Sequence, residues 1–226
     1  MDPRLRRYLL RQITFVTISV ALMFLLAGRL DWLGGWLLTA IQMGSLAAQW
    51  LIVGRRHPDL LLERSGLGED VERSDIPLAV GMAYLPFVAM LVAGLEVRVQ
   101  GPPEAAIIVI IAGVALAVAG IAVTVSAMLA NRYFGPVVRI QSDRGHEVAT
   151  DGPYAVLRHP GYVGAILSYV GLPAVLGSWW SVPIMALLIA ITVVRTARED
   201  RYLRAHLTGY VGYAERVRWR LVPRIW

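Results

Sequence analysis

The chain has no cysteine and no lysine. The first absence excludes disulfides, zinc–thiolate sites, iron–sulfur clusters and cysteine nucleophiles. The second means that all 22 basic residues are arginine, set against 16 acids for a formal charge of +6. A glycine-rich strand–turn–helix nucleotide motif and a Walker sequence are also missing. Gly66-Leu67-Gly68 lies in a polar stretch with no strand before it and reads as a turn. The four histidines, at 57, 146, 159 and 206, have no ligand spacing, so no metal is expected. Nucleic acid is not an expected partner either, because membrane topology accounts for the basic balance.

What the chain has in quantity is apolar sequence. Such residues make up 57% of it and are gathered in long blocks, which marks an integral membrane protein. A basic start with Arg4, Arg6, Arg7 and Arg11 precedes an apolar run at 13–27. That start imitates a signal peptide, but more spans follow and no small-x-small cleavage site stands ahead of a soluble domain. Further runs cover 32–53, 76–95, 105–129, 162–176 and 182–194. A bend is expected at Pro86, and Gly113, Ala117 and Gly120 share a face suited to close helix packing. The last two runs are shorter and form either a full hairpin or one that only partly crosses. Trp179 and Trp180 between them read as interfacial anchors. The expected fold is an all-α polytopic bundle of about six spans with a cytoplasmic C-terminal segment.

Outside the spans the arginines number 4, 1, 4, 1, 4, 0 and 8 in order. This alternation puts both termini in the cytoplasm, in the cell (inner) membrane. It also gathers the loop at 54–75, the loop at 131–159 and the tail from Arg195 on one side.

Two stretches on that side carry unusual chemistry. In Gly152-Pro153-Tyr154-Ala155-Val156-Leu157-Arg158-His159-Pro160-Gly161-Tyr162-Val163-Gly164, two prolines stiffen the backbone at the mouth of an apolar helix. Composition alone leaves two readings: a rigid turn with Arg158 reaching phosphates, or a site. The last span is expected to continue as a helix through Arg195, Glu199, Tyr202 and His206, with Gly209 as its C-cap. Asp200, Arg201 and Arg204 read as a solvated, salt-bridged helix end, whereas the Glu199 face turns back toward the bilayer border. Arg216, Arg218 and Arg220 alternate with Val217, Trp219 and Leu221. If extended they line one side; if helical only Arg216 and Arg220 do. Anchoring to anionic lipid and binding an anionic substrate both remain open.

Gly152-Pro153-Tyr154…Arg158-His159-Pro160-x-Tyr162-x-Gly164, the acidic pair Glu199-Asp200, Gly209-Tyr210…Tyr213 and Arg216…Arg220-Leu221-x-Pro223 resemble the isoprenylcysteine carboxyl methyltransferase and phospholipid methyltransferase superfamily. Asn131-Arg132-Tyr133-Phe134 and Asp143-Arg144-Gly145-His146 look like its bacterial members. The resemblance covers roughly 131–226 and implies a membrane-embedded S-adenosylmethionine-dependent methyltransferase. It implies a core over 105–226 with a cofactor loop at 131–162, and N-terminal spans over 1–104. Tyr154, Arg158, His159, Pro160, Tyr162 and Glu199 would line the cofactor. Arg216 and Arg220 would hold and orient the acceptor and Glu199 would meet the cofactor's amino group or cationic region, these three being the expected catalytic residues. The family usually shows two glutamates where this chain has Glu199-Asp200, so the direct role falls to Glu199. The acceptor would be lipidic or prenylated, at a carboxylate, reached from surrounding lipid. An NADPH-dependent sterol or steroid reductase and a non-catalytic membrane scaffold are the rival readings.

Overall fold

A computed structural model describes residues 2–66 and 71–226. The glycine turn read at Gly66-Leu67-Gly68 falls largely outside the described residues. Among those described there is no strand.

Helix α1 (Pro3–Ala27) starts ten residues ahead of its apolar run, so the basic opening is helix rather than tail. Asp2 caps it, accepting the Arg4 N–H at 2.6 Å, and Pro3 supplies a ready helical φ. Helix α2 (Leu33–Ala48) runs on through a π stretch (Gln49–Val53) into a last turn, α3 (Gly54–Arg56). The short α4 (Pro58–Glu63) buries Leu60 and Leu61. Helix α5 (Ile76–Gln100) continues through Pro86, α6 spans Ile107–Ala130, and α7 (Pro160–Leu176) and α8 (Val182–His206) form the late hairpin. A final short helix, α9, covers Tyr210–Arg216.

Among the described residues four stretches are long and apolar enough to cross a bilayer: Pro3–Ala27, Leu33–Arg56, Arg73–Gln100 and Ile107–Ala130. Helix α7, with 17 residues, is only ~25 Å long at ~1.5 Å per residue, short of ~30 Å of hydrocarbon. Helix α8 is longer, but its second half is charged. Of the six expected spans, then, four combine the length with the apolarity to cross alone, and the last pair makes a hairpin. Trp179 and Trp180 at its tip are exposed, as interfacial anchors require.

Small residues bring α6 and α7 together. A Cβ on Gly113 would meet the Gly171 carbonyl at 2.8 Å, and one on Gly120 would collide with the Gly164 carbonyl. Close backbone approach of this kind replaces the hydrophobic drive that lipid removes.

Long-range contacts fix which ends lie together. At one end Trp32 Nε1 donates to the Leu176 carbonyl, and Glu96 accepts from Ser178 Oγ and the Trp179 and Trp180 N–H groups. Helix α5 runs five residues past the apolar run at 76–95, and the Glu96 carboxylate is buried as a cap for the hairpin tip. At the other end Arg11 reaches the Ser65 carbonyl, His57 the Leu129 carbonyl, and Arg195 pairs with Asp75. The N-terminus, both arginine-rich loops and the tail therefore share one end. Arg29 and Arg98 alone belong to the opposite one.

Candidate functional site

At the arginine-rich end a cavity of about 620 Å³ opens between the loop at 131–149, the start of α5, and α7, α8 and α9. Ala79, Val80 and Ala83 of α5 and Ala165 and Tyr169 of α7 form an apolar wall. The polar end holds Asn131, Tyr154, Arg158, His159, Tyr162 and Glu199.

Arg158 and His159 reach this place through a rigid turn. Gly152 has φ +56, a conformation that glycine supplies without strain, and begins a 3-10 turn over Gly152–Ala155. Pro160 then starts α7, and its own contribution is that fixed backbone. The returning tail lies beside the turn: the Arg158 N–H donates to the Trp219 carbonyl at 2.9 Å and the His159 N–H to the Arg220 carbonyl at 3.1 Å. Residues 217–220 are irregular rather than helical, so Arg216 ends α9 while Arg218 and Arg220 lie beyond it.

The centre of the assembly is Asp200, which is fully buried. Its carboxylate accepts from Arg158 Nε at 2.7 Å, Arg220 Nε at 3.0 Å, Arg204 Nε at 3.2 Å and the Tyr210 hydroxyl at 3.0 Å. His159 Nε2 lies 3.5 Å away. The expectation of a solvated helix end is corrected here. Asp200 faces inward because the tail folds back over α8, which a local charge pattern cannot show. Burial by itself would raise the Asp200 carboxyl. Hydrogen bonds from His159 and Arg220 and the His159 and Arg158 charges outweigh it, holding the group far below the ordinary carboxylate range. Arg158 completes its donors on the carbonyls of Ala214, Val217 and Arg218, so it ties the tail to α8.

Glu199, one residue earlier, points the other way. It accepts from the Tyr162 hydroxyl, and its Oε1 stands 3.9 Å from His159 Nδ1. The Tyr162 ring stacks with His159 at 5.9 Å between centroids and carries the Arg195 guanidinium 5.6 Å from its centre. Arg195, one helical turn before Glu199, forms no ion pair with it. It makes a two-pronged bond to buried Asp75 at 2.7 and 2.8 Å. Glu199 is left a quarter exposed on the cavity wall.

The Tyr154 hydroxyl accepts from Asn131 at 3.4 Å, while its carbonyl takes the Tyr213 hydroxyl at 2.8 Å. The loop is pinned from outside by Arg139, bonded to Glu63 and Asp143, and by Arg144, bonded to Asp59. Within it His146 stacks on Tyr133 and accepts the Gln141 N–H at Nδ1. Burial, with Arg139 and Arg144 nearby, lowers that imidazole to about 4.

The structure thus brings Tyr154, Arg158, His159, Tyr162 and Glu199 onto one cavity. It does not bring Arg216 there, which is exposed, nor Arg220, which is spent on Asp200 and stacks over Trp226 at 4.9 Å. These two arginines, read as holding the acceptor, thus lie apart from the residues that line this cavity. Gly209, at φ +84, begins α9 rather than ending α8, which stops at His206 with extended Leu207. Sequence reasoning missed Asp75 as the partner of Arg195. The available signal was an acid set directly against an apolar run. Among the described residues no group of three or more His, Asp or Glu side chains could hold a metal ion.

A family model described as phospholipid methyltransferase matches residues 108–208. Protein-S-isoprenylcysteine O-methyltransferase B of Arabidopsis thaliana is 33% identical over 94 residues, covering 39% of this chain and 46% of that protein. The cobalt-zinc-cadmium resistance protein CzcN of Cupriavidus metallidurans is 35% identical over 80 residues, or 34% of this chain and 36% of that protein. The chain spans less than half the length of these curated relatives.

Proposed function

We propose, from the premise that residues 108–208 belong to the isoprenylcysteine carboxyl methyltransferase and phospholipid methyltransferase superfamily, that this multi-pass membrane protein is an S-adenosylmethionine-dependent methyltransferase acting on a lipidic acceptor. The observation that carries the reading is the meeting of Arg158-His159 and Glu199 on one cavity, although some forty residues separate them.

The cavity suits such a cofactor in size and lining. Ligand sites commonly enclose ~300–1,000 Å³, and this one is about 620 Å³. Tyr154, His159 and Tyr162 present aromatic faces, and Glu199 offers a partly exposed carboxylate to a cationic group. When bound, the cofactor supplies an electrophilic methyl on a sulfonium, for direct transfer to a nucleophile. Tyr162 orients Glu199 by its hydrogen bond, and Arg195 keeps Tyr162 in place from the ring's face. Asp200, Arg158 and Tyr210 act as positioning residues by locking His159 and the tail. The apolar wall excludes water and takes the acceptor's hydrocarbon, so positioning supplies most of the acceleration. With a carboxylate acceptor no general base is needed.

The arginine-rich end faces the cytoplasm in this reading, following the positive-inside rule. A soluble cofactor then enters from that end and a lipid from the side.

Isothermal titration of the purified chain with S-adenosylhomocysteine and with NADPH tests the proposal. Binding of S-adenosylhomocysteine that weakens roughly 10- to 100-fold in Glu199→Gln is the expected result. Binding of NADPH alone, or of neither, would overturn it.

A further inference from the structure

Arg64 caps the C-terminal end of α4 and contributes to the cavity wall. It comes from the N-terminal half, outside the segment matched to the family. The other arginines on that wall are neutralised: Arg139 by Glu63 and Asp143, Arg158 by Asp200, Arg195 by Asp75. Arg64 has no carboxylate within ion-pair distance among the described residues. Its neighbour Glu63 is turned to Arg139, and Asp59 is taken by Arg132 and Arg144. Glu147, also on the wall, makes no ion pair with it.

Among the described residues Arg64 has one side-chain hydrogen bond, a long one of 3.5 Å from Nη1 to the Phe134 carbonyl. Its Nε is buried with no hydrogen-bond partner among the described residues. A surface arginine reaching into water would keep that donor hydrated. Buried donors are otherwise nearly always paired, and a guanidinium has no neutral form to adopt. The group also lies over the Phe134 ring, 5.5 Å from its centre. That ring packs tightly against Gly161, next to Tyr162 in the first turn of α7. One aromatic ring thus separates an uncompensated cation from the polar end of the cavity.

We propose that Arg64 holds the anionic group, a carboxylate or a phosphate, of the apolar molecule that occupies this cavity. The inference rests on the methyl-transfer reading only in taking that molecule to be the acceptor. The planar guanidinium fork donates to either anion through two parallel N–H bonds. The apolar wall on α5 and α7 takes the hydrocarbon attached to it.

The test uses the full chain in phosphatidylcholine nanodiscs, titrated with decanoate, decyl phosphate and decanol. Wild type binds one of the anions at least roughly tenfold tighter than decanol. Arg64→Gln loses roughly 10- to 50-fold for that anion and nothing for decanol. Arg64→Lys keeps the charge without the fork and loses a smaller factor, while exposed Arg56→Gln changes nothing. Preference for decanoate identifies an acid acceptor, and preference for decyl phosphate identifies a phospholipid headgroup. No discrimination between anions and decanol in wild type, or wild-type affinity in both Arg64 variants, overturns the proposal. S-adenosylhomocysteine binding is read on the same samples. Its absence beside Arg64-dependent anion binding sinks the methyl-transfer reading alone, and the reverse pattern sinks the Arg64 assignment alone.

Discussion

Replacing Asp200 by asparagine keeps the shape of the side chain and removes its charge. Arg158, its main partner, has a side chain only 4% exposed and is held in place by three backbone carbonyls. The guanidinium cannot swing out to water, so the variant leaves a buried cation without its counter-charge. Breaking a buried pair in this way costs about 3–5 kcal/mol. Arg204 and Arg220 have side chains 39% and 30% exposed and remain partly hydrated. Their ion pairs contribute only ~0–1 kcal/mol each. At about 2–4 °C per kcal/mol for a chain of this size, Asp200→Asn should lower the melting temperature by roughly 6–20 °C. Thermal unfolding in detergent, followed by tryptophan fluorescence, measures this directly, with Arg204→Ala as the small-effect companion. The pH dependence supplies a second arm. A carboxyl held far below its unfolded value of ~3.9 stabilises the fold above that pH. The contribution is lost as pH falls through the folded pKa, so wild type and variant should converge in strong acid. A shift under about 2 °C at pH 7, or a difference independent of pH, would refute the account of Asp200 as the knot of the tail.

Two further outcomes follow from the loop and the helix pair. His146, lowered to about 4, stays neutral in the fold while the unfolded imidazole charges near ~6.5. Stability should therefore fall as pH drops from about 6.5 to 4, by no more than ~2 kcal/mol after allowance for its partial exposure. His146→Gln should flatten that part of a melting-temperature profile, and an unchanged slope counts against the assignment. Gly120→Val should destabilise by ~1–3 kcal/mol or more, since its side chain would meet the Gly164 carbonyl and Ser168. An undiminished melting temperature would show that α6 and α7 are not packed backbone to backbone.

Much of the architecture was legible because its causes are local. Run lengths of apolar residues set the long helices, since bilayer thickness and helical rise leave few alternatives. Arginine alternation assigned the loops and tail to one end, and Gly113, Ala117 and Gly120 marked the close α6 face. The cavity residues Tyr154, His159, Tyr162 and Glu199 were found through a motif, whose prolines and charges at an apolar border are themselves unusual.

Which charge meets which was decided by tertiary structure alone. Adjacent Glu199 and Asp200 differ by one residue, yet one faces the cavity and the other is buried among three arginines. On a helix one residue is a rotation of roughly 100°, so only the packing of the tail and α7 around α8 settles their environments. The same applies to Arg195, drawn to Asp75 across 120 residues rather than to Glu199 one turn away. Among the described residues Arg64 has no counter-ion, because Glu63 and Asp59 are taken by arginines of another loop. Ordered along the chain, these charges give many permissible pairings. Desolvation selects among them, because a charge removed from water tolerates only the partner that the fold delivers to it.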